Sequence, residues 1–422
     1  MGTHVLPAKN EIRPENMPID YQNDTPGLTD TPGFEAAGVA CDVRGNGKET
    51  LDLGLVYSPR PCAGAGVFTR NDIVAAPVTL CRSLLSPSGK FHGIVANSGN
   101  ANACTGKNGE QDALEMAQLA QKSTGSPDKS FFVASTGRIG RPLPMDKISR
   151  GIHQAATSTT GDSSGGQAFA RAILTSDTRT KTVTAKIRHK EKTYTVAGVA
   201  KGAGMIEPNM ATMLAFLTTD FKVPTATLQA TLLRAVQSSF NCITVDGDMS
   251  TNDTVLFLAN GYSQVMPDEN ADLLDAFHEA TKEVCQRLAR MIVGDGERVE
   301  HLVTLKISRA PSVEAAEKIA RCIGNSLLVK TSWYGSDPNW GRIVDAAGYA
   351  RIGLKLEDID LFYNDTPVLQ KGVPVEGEIN HWKEIVSQRE FSIHLSLGMG
   401  KDAYSLLTTD LTEGYVDYNK SE

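Results

Sequence analysis

The sequence predicts an α/β protein whose strands are buried between helical layers. Strand-like segments punctuated by glycine interleave with amphipathic helical stretches along the chain. Hydrophobic residues make up 41% and charged residues 22% of the 422, the balance of a chain that packs a core. No apolar run reaches the roughly 18 residues of a membrane span.

Residues 1–30 are polar and Pro-rich and read as a loose arm. The arm lacks the hydrophobic stretch of a secretory leader. Glu11, Glu15, Asp20 and Asp24 make it too acidic for a mitochondrial transit peptide. Leu6 stands where N-myristoylation wants Ser or Thr. A soluble cytoplasmic protein is expected. GVACDVRG (38–45) and AGAGVFTR (63–70) read as strands, the small residues of the second allowing close backbone approach. GIVANSGNANACTG (93–106) starts as a strand and ends in a loop. DALEMAQLAQKS (112–123) has apolar residues at helical spacing, with Leu114, Ala117 and Leu119 among them. SFFVASTGRIG (130–140) again runs from strand into glycine loop. TVTAKIRHKEKTYTVAGVA (182–200) reads as a hairpin of β-branched residues around a charged turn. ATLQATLLRAVQSSF (226–240) and DLLDAFHEATKEVCQRLARMIV (272–293) are amphipathic helices. HLVTLKIS (301–308) and EFSIHLSLG (390–398) are strand candidates. Between them SVEAAEKIARCIGNS (312–326) is a helix ending near Gly324, with Asn325 as a cap element.

Several function classes fall away. A net charge of −7 provides no overall basic field for a nucleic-acid backbone. The seven cysteines are scattered, odd in number and form no C-x-x-C pair, which argues against a disulfide framework and a zinc site. VDGDMSTND (245–253) looks like an acidic calcium loop, but counted from Asp246 its sixth and twelfth positions hold Thr251 and Phe257, where Gly and an acid are needed. Neither a dinucleotide nor a phosphate glycine loop occurs, nor an H-E-x-x-H pair. The eight His are dispersed, and since triad partners converge only in space, a His-based triad stays open on these residues.

One segment is chemically odd. GAGMIEPNMATMLAFLTTD (202–220) runs from a Gly- and Pro-containing stretch through Ala211-Thr212 into an apolar strand. Thr212 reads in two ways. It opens a buried strand, where a β-branched residue fits, or it is a nucleophile released by a cut before it. A hydroxyl needs a base beside it. The α-amine freed by such a cut has a pKa of about 7.7–8.0, so one residue supplies both nucleophile and base.

Lys201-Gly202 followed by Met205-Ile206-Glu207-Pro208-Asn209-Met210-Ala211-Thr212-Met213-Leu214 resembles the self-cleavage signature of the ornithine acetyltransferase (glutamate N-acetyltransferase) family. NSGNANACTG (97–106), STGRIG (135–140), TSDT (175–178), VDGDMSTND, GDGE (294–297), LVKTSWYGSDPNWGR (328–342) and DLTEGY (410–415) are similar to further blocks of that family, in order. The resemblance implies a layered α/β/β/α sandwich. It also implies a chain divided into 31–211, carrying the oxyanion hole and part of the substrate site, and 212–422, which begins with the nucleophile. It assigns Thr212 as nucleophile, the cut between Ala211 and Thr212, and an oxyanion hole to Thr136 and Gly137. Substrate contacts fall on Thr175, Lys201, Thr212, Glu297 and Asn419. The implied reaction moves acetyl from N-acetylornithine to glutamate in arginine biosynthesis, without metal or organic cofactor, in an assembly of two of each fragment. Lys201 suits the shared α-carboxylate and Glu297 the ornithine ammonium.

Three departures bear on the acceptor. Arg298, Val299, Glu300 and His301 follow GDGE where the family has Gly, Ala, Thr and Lys; Met249 replaces a Thr; and the sequence stops about two residues early, at Asn419-Lys420-Ser421-Glu422. A bifunctional enzyme that also uses acetyl-CoA, a paralogue with another acyl or amine substrate, and a Thr-nucleophile amidohydrolase are the alternatives.

Overall fold

The computed structural model describes residues 17–86, 89–127, 129–207 and 213–420. The first part of the chain supplies β1 (Ile19–Asn23), β2 (Glu35–Val39), β3 (Leu53–Phe68), α1 (Ala76–Leu84), β4 (Phe91–Asn100), α2 (Gly106–Thr124), β5 (Phe131–Arg138), α3 (Met145–Thr157), α4 (Ser163–Ala172), β6 (Lys181–His189) and β7 (Lys192–Lys201). After the junction come β8 (Leu214–Thr219), α5 (Thr225–Gln237), β9 (Thr254–Ala259) and α6 (Ala271–Gly294).

These strands form two layers joined by one long strand. The N-terminal half of β3 pairs with β2 and β4, and its C-terminal half pairs with β9. The register shifts between Tyr57 and Cys62, where β3 passes from one layer to the other. One layer runs β2-β3-β4-β5, the other β1-β6-β7-β8-β9-β3. Between them lies a core that includes Ile94, Ala96 and Phe132 from one layer and Val199, Phe216 and Leu256 from the other. The outer face of the second layer packs Val196, Leu217 and Phe257 on Leu232 of α5 and Val284 and Leu288 of α6. The outer face of the first packs Leu55, Val95 and Val133 on Met116 of α2 and Ile152 of α3. Helix, sheet, sheet and helix are therefore stacked, the α/β/β/α sandwich that the family resemblance implies.

A second sheet follows from β10 (Leu302–Ala310), α7 (Val313–Gly324), α8 (Leu327–Tyr334), α9 (Trp340–Gly348), β11 (Asp360–Tyr363), β12 (Thr366–Gln370), β13 (Val373–Pro374), α10 (Ile379–Val386), β14 (Glu390–Ser396) and β15 (Asp402–Thr409), with α11 (Glu413–Asn419) behind them. Its six strands run β13-β12-β11-β14-β10-β15 over a separate core built on Ile319, Ile323, Trp333 and Leu395. Because β8 and β9 sit inside the first sheet beside β7, the expected fragments 31–211 and 212–422 do not coincide with the two sheets.

Local chemistry accounts for most element boundaries. Ser312 accepts from the Ala315 N–H and starts α7, which stops at Gly324 before Asn325, as the sequence suggests. The expected hairpin is β6–β7, with Lys190 at φ +56 in its turn. Two expectations are corrected. Residues 17–30 are not a loose arm: β1 pairs antiparallel with β6, and Leu28 is buried in the core between the layers. GVACDVRG is strand only as far as Val39. The Asp52 carboxylate takes the N–H groups of Cys41 (2.8 Å) and Val43 (2.6 Å), which draws this backbone out of the ladder and into a turn.

Candidate active site

The site forms where β4, β5 and β7 end. β4 and β5 are parallel, pairing Ser98 with Thr136 and Gly99 with Gly137, so Thr136 and Gly137 emerge at one sheet end. Gly137 has φ +131, and a Cβ there would lie 2.3 Å from the Gly99 carbonyl carbon. Conformation and space both demand glycine at this position. Lys201 closes β7 and pairs across to Leu214, so the chain beyond the junction resumes at Lys201's side. Ala211 and Thr212 lie outside the described residues.

Lys201 gathers the threonines. Its Nζ donates to Thr175 Oγ1 at 2.6 Å and to Thr136 Oγ1 at 3.3 Å. A hydroxyl has one proton and two lone pairs. With a lone pair of Thr136 occupied by the ammonium, its O–H is left to donate, which is what an oxyanion donor needs. Lys201 is 3% exposed. Burial lowers its pKa, opposed by the Asp177 carboxylate 3.8 Å away.

The Asp177 side chain is fully buried and heavily solicited. Oδ1 accepts from Lys181 Nζ (2.7 Å) and Gly202 N (2.6 Å), and Oδ2 accepts from Thr175 N (3.1 Å). Burial pushes its carboxyl up, but the Lys201 and Lys181 ammoniums and the Gly202 N–H overcome this and hold it well below the usual carboxylate range. Lys181 reaches on to Asp295 at 2.6 Å.

Glu297 and Asn419 form a second group. The Glu297 N–H donates to Ala203 O (3.0 Å), its carboxylate stands 2.6 Å from where a Gly204 Cβ would be, and Asn419 Nδ2 donates to Glu297 Oε2 at 3.0 Å. Glu297 also acts on Lys201 electrostatically. Thr136, Gly137, Thr175 and Lys201 thus converge, with Glu297 and Asn419 joined to them through the Lys201–Gly204 backbone.

Four further carboxylates escaped residue-by-residue reading, although TSDT, GDGE and VDGDMSTND contain them. Asp177 and Asp295 hold the buried lysine. Asp253, 1% exposed, accepts from the N–H of Met213 (2.8 Å). Asp246, in the loop that looked like a calcium site, accepts from Met205 N (2.6 Å), Ile206 N (2.7 Å) and the Tyr415 hydroxyl (3.2 Å), tying the segment before the junction to α11. Their block positions were visible; their burial, which gives them their role, is tertiary.

The ArgJ family profile matches residues 35–421. The chain belongs to the ArgJ family. It is similar to the arginine biosynthesis bifunctional protein ArgJ of Symbiobacterium thermophilum, 42% identical over 398 residues that span 94% of this chain and 98% of that protein. The protein of the same name from Thermotoga neapolitana is 42% identical over 394 residues, 92% of this chain and 98% of its own. Among solved structures, an ornithine acetyltransferase complexed with ornithine from Mycobacterium tuberculosis is 36% identical, covering 46% of this chain and 98% of that chain with a TM-score of 0.41. Among the described residues no helix is long and apolar enough to cross a membrane.

Proposed function

We propose that this ArgJ-family chain is a glutamate N-acetyltransferase of arginine biosynthesis that moves acetyl from N2-acetylornithine to glutamate through an ester on Thr212. The observation that carries the reading is the Lys201 ammonium seated on both Thr136 and Thr175, within a chain matched to the family over residues 35–421. Thr212 Oγ attacks the acetyl carbonyl carbon while its proton passes to the Thr212 α-amine. The resulting oxyanion accepts from the Thr136 hydroxyl and the Gly137 N–H. The C–N bond breaks, the proton goes to the departing α-nitrogen, and ornithine leaves. The α-amine of glutamate then attacks the ester, the proton returns to Thr212 Oγ, and N-acetylglutamate departs. Every step is proton transfer and charge stabilisation, so the reaction calls for neither metal nor organic cofactor. Lys201 and Glu297 recognise the substrate α-carboxylate and the ornithine ammonium.

The same reading includes self-cleavage between Ala211 and Thr212, an assembly of two of each fragment, and residence in the cytoplasm, where the buried thiols of Cys62, Cys81 and Cys285 stay reduced. Native mass measurement and cell fractionation test the last two. A second reading, in which acetyl-CoA also acylates Thr212, is favoured by the word bifunctional in the names of the two relatives described above. Ornithine release from N-acetylornithine, with and without glutamate, tests the first reading; CoA release from acetyl-CoA and glutamate tests the second. Ornithine release that ignores glutamate would make the chain a hydrolase.

A further inference from the structure

We propose that Lys181 is a positioning residue for acyl transfer: gripped between Asp177 and Asp295, it keeps the Lys201 ammonium on Thr136 and Thr175 and fixes the loop that carries Glu297. The inference rests on the acyl-transfer reading above. Four charges alternate in one buried row, Lys201, Asp177, Lys181 and Asp295, with separations of 3.8, 2.7 and 2.6 Å. The Lys181 and Asp177 side chains are fully buried, and that of Asp295 nearly so. Two cations and two anions sum to zero.

Such rows seldom stabilise a protein more than apolar residues of the same volume would, because desolvation offsets the attraction. Their geometric effect is more specific. Asp177 is the only group in the row that touches both lysines. Lys181 occupies its Oδ1 at hydrogen-bond distance, while Lys201 stays 3.8 Å from Oδ2 and directs two of its three donors at the threonines. Take Lys181 away and Lys201 becomes the sole counter-ion of a buried carboxylate. The attraction then draws Lys201 onto Asp177 and off Thr136, whose hydroxyl loses the contact that aims its proton outward. At the far end, Asp295 takes the N–H and hydroxyl of Thr178 and lies two residues before Glu297. Lys181 therefore links the loop of Thr175 to that of Glu297. It also bonds residues 31–211 to residues 212–422 across the Ala211–Thr212 junction.

The test is the double variant Lys181→Met/Asp295→Asn, which removes one charge of each sign so that no carboxylate is stranded. Thermal denaturation and co-purification of the two fragments establish that it folds. We expect kcat for glutamate-dependent ornithine release to fall by roughly 10²-fold through misplacement of Thr136. Adding Asp177→Asn removes the carboxylate that pulls Lys201 away and is expected to restore about tenfold of that loss; a purely structural role would yield no such rescue. A crystal structure of the double variant reads the same point without any assay, with Lys201 Nζ on Asp177 and off Thr136. A double variant with wild-type kcat, a triple variant without rescue, or an Nζ that stays on Thr136 would overturn the proposal. A wild type that transfers no acetyl overturns the acyl-transfer reading instead, and the crystal structure still judges Lys181.

Discussion

Met213 and Asp253 are bound to each other at the start of two neighbouring parallel strands: the Met213 N–H donates to Asp253 Oδ1 at 2.8 Å, and Met213 O accepts from Thr254 N at 3.1 Å. The N–H that Asp253 holds belongs to the peptide bond between Thr212 and Met213. Among the described residues the second oxygen, Oδ2, is buried without a hydrogen-bond partner, and burial pushes this carboxyl well above the usual range. β8 and β9 pair Leu214 with Thr254, so the sheet register itself fixes the chain that follows Thr212.

Asp253→Asn should preserve the acceptor for Met213 and with it the fold, whereas Asp253→Ala leaves that N–H without its partner. We expect self-cleavage to be slower in the Ala variant than in the Asn variant, by roughly tenfold for about 1–2 kcal/mol of lost positioning. Time-resolved intact-mass measurement of the uncut chain checks this. Equal processing in both variants would remove Asp253 from the junction's support.

Thr136→Ala should lose about 2–4 kcal/mol of transition-state stabilisation, mainly in kcat, because the hydroxyl is the side-chain donor of the proposed oxyanion hole. Lys201 would keep Thr175 as a partner at 2.6 Å, so the substrate KM should move far less. Steady-state kinetics separate the two constants, and a large KM change with kcat intact would assign Thr136 to binding.

The pH dependence of stability has an identifiable contributor in Asp220. Its Oδ1 accepts from Thr195 N at 2.7 Å, yet burial pushes the carboxyl up to about 6. With the folded value above the unfolded one of about 3.9, the contribution is fully present below pH 3.9 and is lost as pH rises through about 6. At pH 7.5 the buried charge costs the fold about 2–3 kcal/mol. Asp220→Asn keeps an acceptor without the charge, so thermal denaturation should show a higher Tm at pH 7.5 and no gain at pH 3.5. A gain of equal size at both pH values would trace the effect to packing.

Local signals made much of the fold legible. The Ser312 cap, the Gly324 stop and the β6–β7 alternation act within a few residues and need no tertiary partner. GVACDVRG failed because a carboxylate at Asp52 competes for its N–H groups, and strand propensity takes no account of that competition. At the site, Thr136, Gly137, Thr175, Lys201 and Glu297 lie in the ordered family blocks and Asn419 follows the last of them; spacing alone leaves Lys201 and Glu297 as surface charges. Asp177, Lys181 and Asp295 stayed hidden because charged residues are exposed by default. Only the meeting of β6, β7 and the end of α6 buries them.

The order of substrate binding tests the covalent intermediate. If acetyl rests on Thr212, ornithine must leave before glutamate reacts, and initial rates at several fixed glutamate concentrations should give parallel double-reciprocal lines against N-acetylornithine. The site gives a physical reason. In the proposed site, Lys201 and Glu297 meet substrates that share an α-carboxylate and differ in side-chain charge. Two amino acids bound together would compete for Lys201. Binding in turn avoids that competition. Incubation with N-acetylornithine alone should add one acetyl mass to residues 212–422, or, where water clears the ester quickly, release ornithine slowly without glutamate. Thr212→Ala should do neither and should remain a single chain. Intersecting lines together with an unacetylated fragment under rapid quenching would mean direct transfer in a ternary complex, and Thr212 would then be left with a positioning role beside Thr136.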